Sequence, residues 1–200
     1  MEKKVVKHYN EIPPVKSQTA NIPITIDHSF SDTGYAKVMT QSEKNKLKGL
    51  FTFFYNHYHF EYATQLNYRI PLNQFINSAM QYGRSTKVSE KLKGKELELM
   101  VEQLPRNFMY HTDEKNYLLL FTSSKIYIEP GKEDVKVSYT LKENGLPVKT
   151  GRVKIIDPNK MYSLTYFQSW WGAVNDYLTA YDNYYKNLGR QVLDKIMGEL

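Results

Sequence analysis

The sequence predicts an α+β domain, a mainly antiparallel β-sheet covered on one face by helices that include a long C-terminal helix. Three observations lead there. From about Ser169 onward, Trp170, Val174, Tyr177, Tyr181, Tyr184, Leu188, Val192 and Ile196 recur at three- and four-residue steps, which draws one apolar and aromatic stripe along a helix. Before it, Val135, Val137, Tyr139 and Leu141 alternate with Lys136, Ser138, Thr140 and Lys142, the period of a strand with one greasy and one wet face. Asn144-Gly145 follows as a type I′ turn, because both central positions need positive φ and these residues tolerate it, so 135–156 reads as a hairpin. A stripe and an alternating face each need an apolar partner, and each can supply the other's.

Taken in order, residues 1–21 carry Lys3, Lys4, Lys7, Lys16 and Pro13-Pro14 without periodicity and read as a flexible leader or spacer, leaving 22–200 as one domain. Ile22 to Ile26 is β-branched and alternating, with Pro23 suited to a strand start or edge. In Thr40 to Phe54, Ser42 is placed to cap a helix carrying Leu47, Leu50, Phe51 and Phe54, giving way to an extended, aromatic segment. Tyr62 to Ile70 reads as extended. Pro71 suits the first helical position, where its missing N–H loses no partner, and Leu72, Phe75, Ile76, Ala79 and Met80 share a face of helix 71–83. Gly83 is placed to end that helix in a left-handed conformation.

Arg84 to Lys95 reads as a charged connection. Leu97, Leu99 and Val101 then alternate with Glu96, Glu98, Met100 and Glu102, while the apolar run Tyr117 to Phe121 implies a strand buried on both faces, continuing through Lys125 to Glu129. The expected sheet comprises 22–27, 96–104, 117–129, 134–142 and 147–156, with Gly151 a candidate bulge. Asp157 to Gln168 reads as a loop.

Composition narrows the function classes. Two hundred residues with 41% hydrophobic content suffice for a core. The net charge of +6 is spread over scattered lysines with no nucleic-acid module, so no nucleic-acid partner is expected. The chain has no cysteine, which removes disulfides, thiolate nucleophiles and cysteine-ligated zinc. No apolar run approaches the roughly 18 residues of a membrane span.

Catalytic constellations do not assemble. Ser123-Ser124 lacks the glycines of a nucleophile elbow, Gly94-Lys95 lacks a preceding phosphate loop, and Glu96, Glu98 and Glu102 read as a solvated strand face. His57 and His59 point the same way on a strand and can offer two imidazoles, with Glu61 the nearby carboxylate; His8, His28 and His111 lie in separate stretches without metal spacing. Neither a structural metal, a cofactor nor a catalytic residue is therefore expected. The 17 Tyr and 9 Phe are the unusual feature, concentrated at 51–62 and 162–185. Trp170 and Tyr181 read as core, whereas Tyr55, His57, Tyr58, His59, Trp171 and Tyr185 are the candidate surface for a partner or ligand.

In element order the chain resembles small bacterial envelope lipoproteins of the YajG type and the related ABC-transport auxiliary (PqiC-like) lipoproteins. The matching pieces are the Lys/Pro spacer, strand Ile22-Pro-Ile-Thr-Ile26, Asn67-Tyr-Arg-Ile-Pro-Leu72 opening a helix, Val135 to Leu141, Asn144-Gly145, Gly151 and the terminal helix ending Leu188-Gly-Arg-Gln-Val-Leu-Asp-Lys-Ile-Met197. The resemblance implies a non-catalytic accessory protein in the bacterial periplasm. It implies an envelope or transporter protein as partner and a lipid anchor outside this chain, since the lipid-bearing cysteine is absent. The competing class is a soluble binding module whose aromatic surface takes a glycan, peptide or amphipathic ligand; a third is a metal-dependent enzyme using His57 and His59. A cytoplasmic protein with a frayed N-terminus is the alternative placement.

Overall fold

The structure is a computed structural model that describes residues 2–10, 12, 14–15, 22–31, 36–47, 55–117, 121–156, 162–163 and 170–200. In chain order its elements are α1 (Glu2–Tyr9), β1 (Ile24–His28), β2 (Ala36–Leu47), β3 (Tyr55–Leu66), α2 (Arg69–Gly83), α3 (Thr86–Leu92) and β4 (Glu96–Gln103). They continue as β5 (Asn107–Tyr117), β6 (Phe121–Pro130), β7 (Val135–Glu143), β8 (Leu146–Ile155), β9 (Tyr162–Ser163), α4 (Trp170–Tyr185) and α5 (Leu188–Glu199). The class is α+β, as expected. The strands form two sheets and not one, in the orders β1-β4-β7-β8 and β2-β3-β5-β6-β9, so the chain crosses repeatedly from one sheet to the other. Alternation along a strand reveals its two faces but says nothing of which strand lies beside it.

The first sheet follows its residues closely. β4 runs antiparallel to β7 with Leu97 opposite Leu141 and Leu99 opposite Tyr139, and β1 lies parallel to β4 with Ile24 opposite Leu97. Ile24, Ile26, Leu97, Leu99, Val101, Val135, Val137 and Tyr139 are all buried in one core with Phe75, Ile76 and Ala79 of α2 and Val192, Leu193 and Ile196 of α5. On the polar face Glu98 pairs with Lys142, and Glu102 accepts from Ser138 and Arg152. Asn144 and Gly145 have φ of 52° and 79°, the two positive values a type I′ turn requires. Gly151 is not the bulge: the register slips between Leu141 and Lys142, whereas Gly151 faces Tyr139, whose ring would sit 2.5 Å from any added Cβ. The absent side chain there is a seat for the tyrosine ring.

Several expectations are corrected. The stretch from Ser42 is strand and not helix, because Ala36 to Leu47 pairs with Leu66 to Asn56, and a partner strand overrides weak helical spacing in a polar segment. Residues 51–54 lie outside the described residues. The run at 117–121 is not one strand: Tyr117 ends β5, Phe121 opens β6, and the two pair with each other, while 118–120 lie outside the described residues. The charged connection holds α3, whose Val88 and Leu92, four residues apart, are buried. Of the loop expected at 157–168, Tyr162–Ser163 form a short strand against β6 and the rest lies outside the described residues.

Helix α2 begins at Arg69, two residues before Pro71, with the Asn67 side-chain oxygen Oδ1 accepting the Arg69 N–H at 2.9 Å. It ends at Gly83 without a left-handed residue, since Arg84 has φ −79° and Gly83 instead lies against Ile24. The terminal helix bends at Lys186 and Asn187 into α4 and α5. No helix is long and apolar enough to cross a membrane among the described residues.

The start of the expected leader is also ordered. Glu2–Tyr9 is helical, Val5 is fully buried, and α1 rests on α4. His8 places Nδ1 2.7 Å from Asn175 Oδ1 and Nε2 3.4 Å from Asp182 Oδ2, while the Tyr9 hydroxyl donates to Asp182 at 3.0 Å. Two acceptors suit the imidazolium, which donates from both nitrogens. The hydrogen bond to Asp182 accordingly raises the His8 pKa above its ordinary value, against burial. A raised folded-state pKa means that this contact stabilises fully below the unfolded value of about 6.5 and is lost as pH rises through the folded value. The protection factor of the Val5 amide, its exchange rate corrected for the intrinsic rise with pH, is therefore expected to fall across that window and to be low at every pH in a His8→Ala variant; a parental protection factor that is flat through neutrality would contradict it.

Candidate functional site

Three adjacent strands of the second sheet build the candidate site. Without a register break, β3 pairs with β5 so that His57 faces Lys115, His59 faces Asp113 and Glu61 faces His111, and β5 pairs with β6 so that His111 faces Tyr127. Alternate residues share a face, so His57, His59, Glu61, His111, Asp113, Tyr127 and Glu129 converge on one side. A central position in a hydrogen-bonded ladder fixes their backbones.

Glu61 Oε1 lies 2.9 Å from His59 Nε2 and 3.5 Å from His111 Nδ1. Behind His59, its Nδ1 lies 2.8 Å from Asp113 Oδ1, an oxygen that also lies 2.9 Å from His57 Nε2. Behind His111, its Nε2 lies 3.7 Å from Glu129 Oε2. The His111 ring stacks on Tyr127 with centroids 4.3 Å apart and planes 9° from parallel. His111 is only 4% exposed, and neither of its ring nitrogens makes a hydrogen bond.

Their electrostatics differ accordingly. The hydrogen bond to Glu61 raises the His59 pKa, helped by Asp113, whereas burial lowers that of His111. Burial pushes the Asp113 carboxyl up, but hydrogen bonds from His59 and His57 together hold it below its ordinary value. Two imidazole nitrogens and a carboxylate oxygen of His59, Glu61 and His111 lie within 4.8 Å of one another, which makes these three the residues able to hold a metal ion among those described.

The opposite face of the same strands is apolar. Phe108, Tyr110 and Ile128 are buried, with the Tyr177 ring of α4 centred 5.1 Å from that of Phe108. Farther along the strands Phe60, Tyr62, Tyr110, Thr112, Glu114 and Ile126 line a groove of about 330 Å³, with Phe60, Tyr62 and Ile126 half-buried. The Thr112 hydroxyl donates to the Tyr110 hydroxyl oxygen at 3.1 Å, and burial pushes the Tyr110 phenol up to about 12.

The six residues expected to form one surface are therefore distributed. His57 and His59 share a face, as expected, while Tyr58 lies on the other, its ring 6.4 Å from that of Phe60. Tyr55 opens β3 and Trp171 lies in α4, their side chains outside the described part, as is that of Trp170. Tyr185 is corrected: it is fully buried, and its hydroxyl donates to the Pro105 carbonyl beside that of Tyr181, one helical turn earlier. Sequence reasoning missed His111 and Asp113. The available signal was the alternation of Phe108, Tyr110 and Thr112 with Met109, His111 and Asp113, the period of a strand. Comparison of the chain with protein-family models, with curated proteins and with solved structures finds no match.

Proposed function

We propose that this protein acts by binding and not by catalysis, and that the aromatic groove of the second sheet receives an amphipathic ligand. The groove between Phe60, Tyr62, Tyr110 and Ile126 carries the reading, since its walls are apolar and aromatic while Thr112 and Glu114 supply polar groups. Tyrosine offers large, stiff contact area with a polar handle, and a mostly apolar cleft with few polar groups is the usual form of a small-molecule site. Chemical-shift mapping with a single-chain amphiphile below its critical micelle concentration tests it. Perturbations centred on Phe60, Tyr62, Tyr110 and Ile126, with affinity weakened about tenfold or more in Tyr62→Ala, are expected. Shifts confined to other parts of the chain, or none at millimolar ligand, would remove the reading.

The setting we propose is the bacterial envelope, as an accessory lipoprotein whose anchor precedes these residues. Its support is the likeness in element order, to which the second sheet is an addition. Lys87, Lys91, Lys93, Lys95 and Lys149 also line one hollow beside Glu90, a mainly basic surface of the kind that favours anionic lipid. Fractionation of cells making the full gene product decides the placement: recovery wholly in the cytosol, with no lipid attached, excludes it.

A further inference from the structure

We propose that His59, Glu61 and His111 bind a divalent first-row transition-metal ion of the zinc kind. The face that carries them is opposite the aromatic groove, so this site stands or falls independently of the groove. Two ligands each about 2.1 Å from a tetrahedral zinc ion lie about 3.4 Å apart. Glu61 Oε1 lies 2.9 Å from His59 Nε2 and 3.5 Å from His111 Nδ1, and all three ligand atoms lie within 4.8 Å of one another. The partly exposed Glu61 carboxylate can rotate to open the space between the two imidazoles that such an ion needs.

A plain ion-paired strand face accounts for His59, which sits between Glu61 and Asp113. It does not account for the burial of His111, which is taken out of water with neither ring nitrogen hydrogen-bonded, Glu61 and Glu129 standing off at 3.5 and 3.7 Å. Buried polar groups are nearly always hydrogen-bonded, and an orphaned imidazole turned toward a carboxylate and a second imidazole is what a ligand set looks like without its ion. The surroundings repeat this pattern. Metal-bound histidines usually direct the other ring nitrogen at a carboxylate, which selects the tautomer and orients the ring. His59 has Asp113 behind it at 2.8 Å and so presents one nitrogen to the centre while backing the other with an acid, whereas Glu129 faces the outer nitrogen of His111 from 3.7 Å, beyond hydrogen-bond length.

Two imidazoles and one carboxylate suit zinc and its neighbours in the first row, whereas calcium and magnesium take oxygen ligands. Three protein ligands leave a fourth position for water or a small ligand atom. Asp113, which also lies 2.9 Å from His57, acts through His59 and is a positioning residue.

The test is calorimetric titration of the full chain, stripped with chelator, with zinc chloride, and visible absorption of the cobalt(II) form. One-to-one zinc binding at micromolar or lower Kd is expected, with magnesium unable to compete. His59→Gln and Glu61→Gln should each weaken it about 100-fold or more, and Asp113→Asn about 10–100-fold, the usual penalty for losing such a backing carboxylate. Each variant is checked by circular dichroism for an unchanged fold. His28→Gln, remote from the cluster, should keep the parental affinity and cobalt spectrum. Absence of one-to-one binding by the parent, or parental affinity in folded His59→Gln and Glu61→Gln, overturns the proposal.

Discussion

Phe75→Ala is expected to lower the free energy of unfolding by about 3–5 kcal/mol, the usual cost of truncating a buried phenylalanine. Phe75 is fully buried on α2, in the core that α2 and α5 share with the first sheet, and it is among the largest side chains with no exposed surface. Alanine removes its contacts and leaves a void that close-packed neighbours fill only in part. A marginally stable domain has only about 5–15 kcal/mol to lose, so the variant should unfold at a much lower urea concentration with an unchanged slope. A midpoint equal to the parent's would place the ring outside the core.

The second large effect is expected at Gly189, where α5 lies hard against the backbone of α2. A Cβ there would lie 2.4 Å from the Phe75 carbonyl oxygen, 2.5 Å from Ser78 Oγ and 2.6 Å from the Ala79 nitrogen. Two of these are backbone atoms and cannot rotate away, so the helices must separate. Separation also breaks a relay in which the Gly189 N–H donates to Ser78 Oγ at 2.9 Å and the Ser78 hydroxyl donates to the Phe75 carbonyl at 3.1 Å. Overpacking costs about 1–3 kcal/mol and a buried group left unpaired about 1–3 kcal/mol, so Gly189→Ala should lose about 2–6 kcal/mol. Gly198 lies in the same helix with nothing within 4 Å of its would-be Cβ. Gly198→Ala should therefore leave the thermal midpoint unchanged or raise it, by up to about 1 kcal/mol of helix propensity. Opposite signs for one substitution at two positions of one helix would locate the cause in the helix contact.

These core positions were legible because their signals are local. The stripe from Val174 through Tyr181 to Ile196 is buried except at the half-buried Tyr184, and the 135–156 hairpin announces itself by alternation on either side of Asn144-Gly145. The error at Tyr185 has the same local origin: Tyr184 and Tyr185 both fall close to the stripe, and the packing that buried the second depends on Pro105, eighty residues away. The second sheet was largely illegible for a related reason. Thr40 to Phe54 offers a cap at Ser42 and helical spacing at Leu47, Leu50, Phe51 and Phe54, and only the ladder with β3 makes Ala36 to Leu47 a strand. The His59, Glu61 and His111 cluster is the extreme case, since it exists only in the register that puts Glu61 opposite His111, fifty positions apart. His57, His59 and Glu61 could be seen as a pattern along one strand; their third partner could not.

The chain's repeated crossing between sheets bears on how the molecule comes apart. Strand β1 belongs to the first sheet, β2 and β3 to the second, β4 to the first, β5 and β6 to the second, and β7 and β8 to the first again. A single cut anywhere between β3 and β6 would leave strands of both sheets on each fragment, so neither sheet can be excised as a self-sufficient piece. The parallel pairing of β1 with β4 waits on everything between Ile24 and Leu97, and such distant contacts pay loop-closure entropy before they return any stability. Interleaving thus ties the covalent continuity of each sheet to the other, so a nick in the span of one also interrupts the chain path of its neighbour.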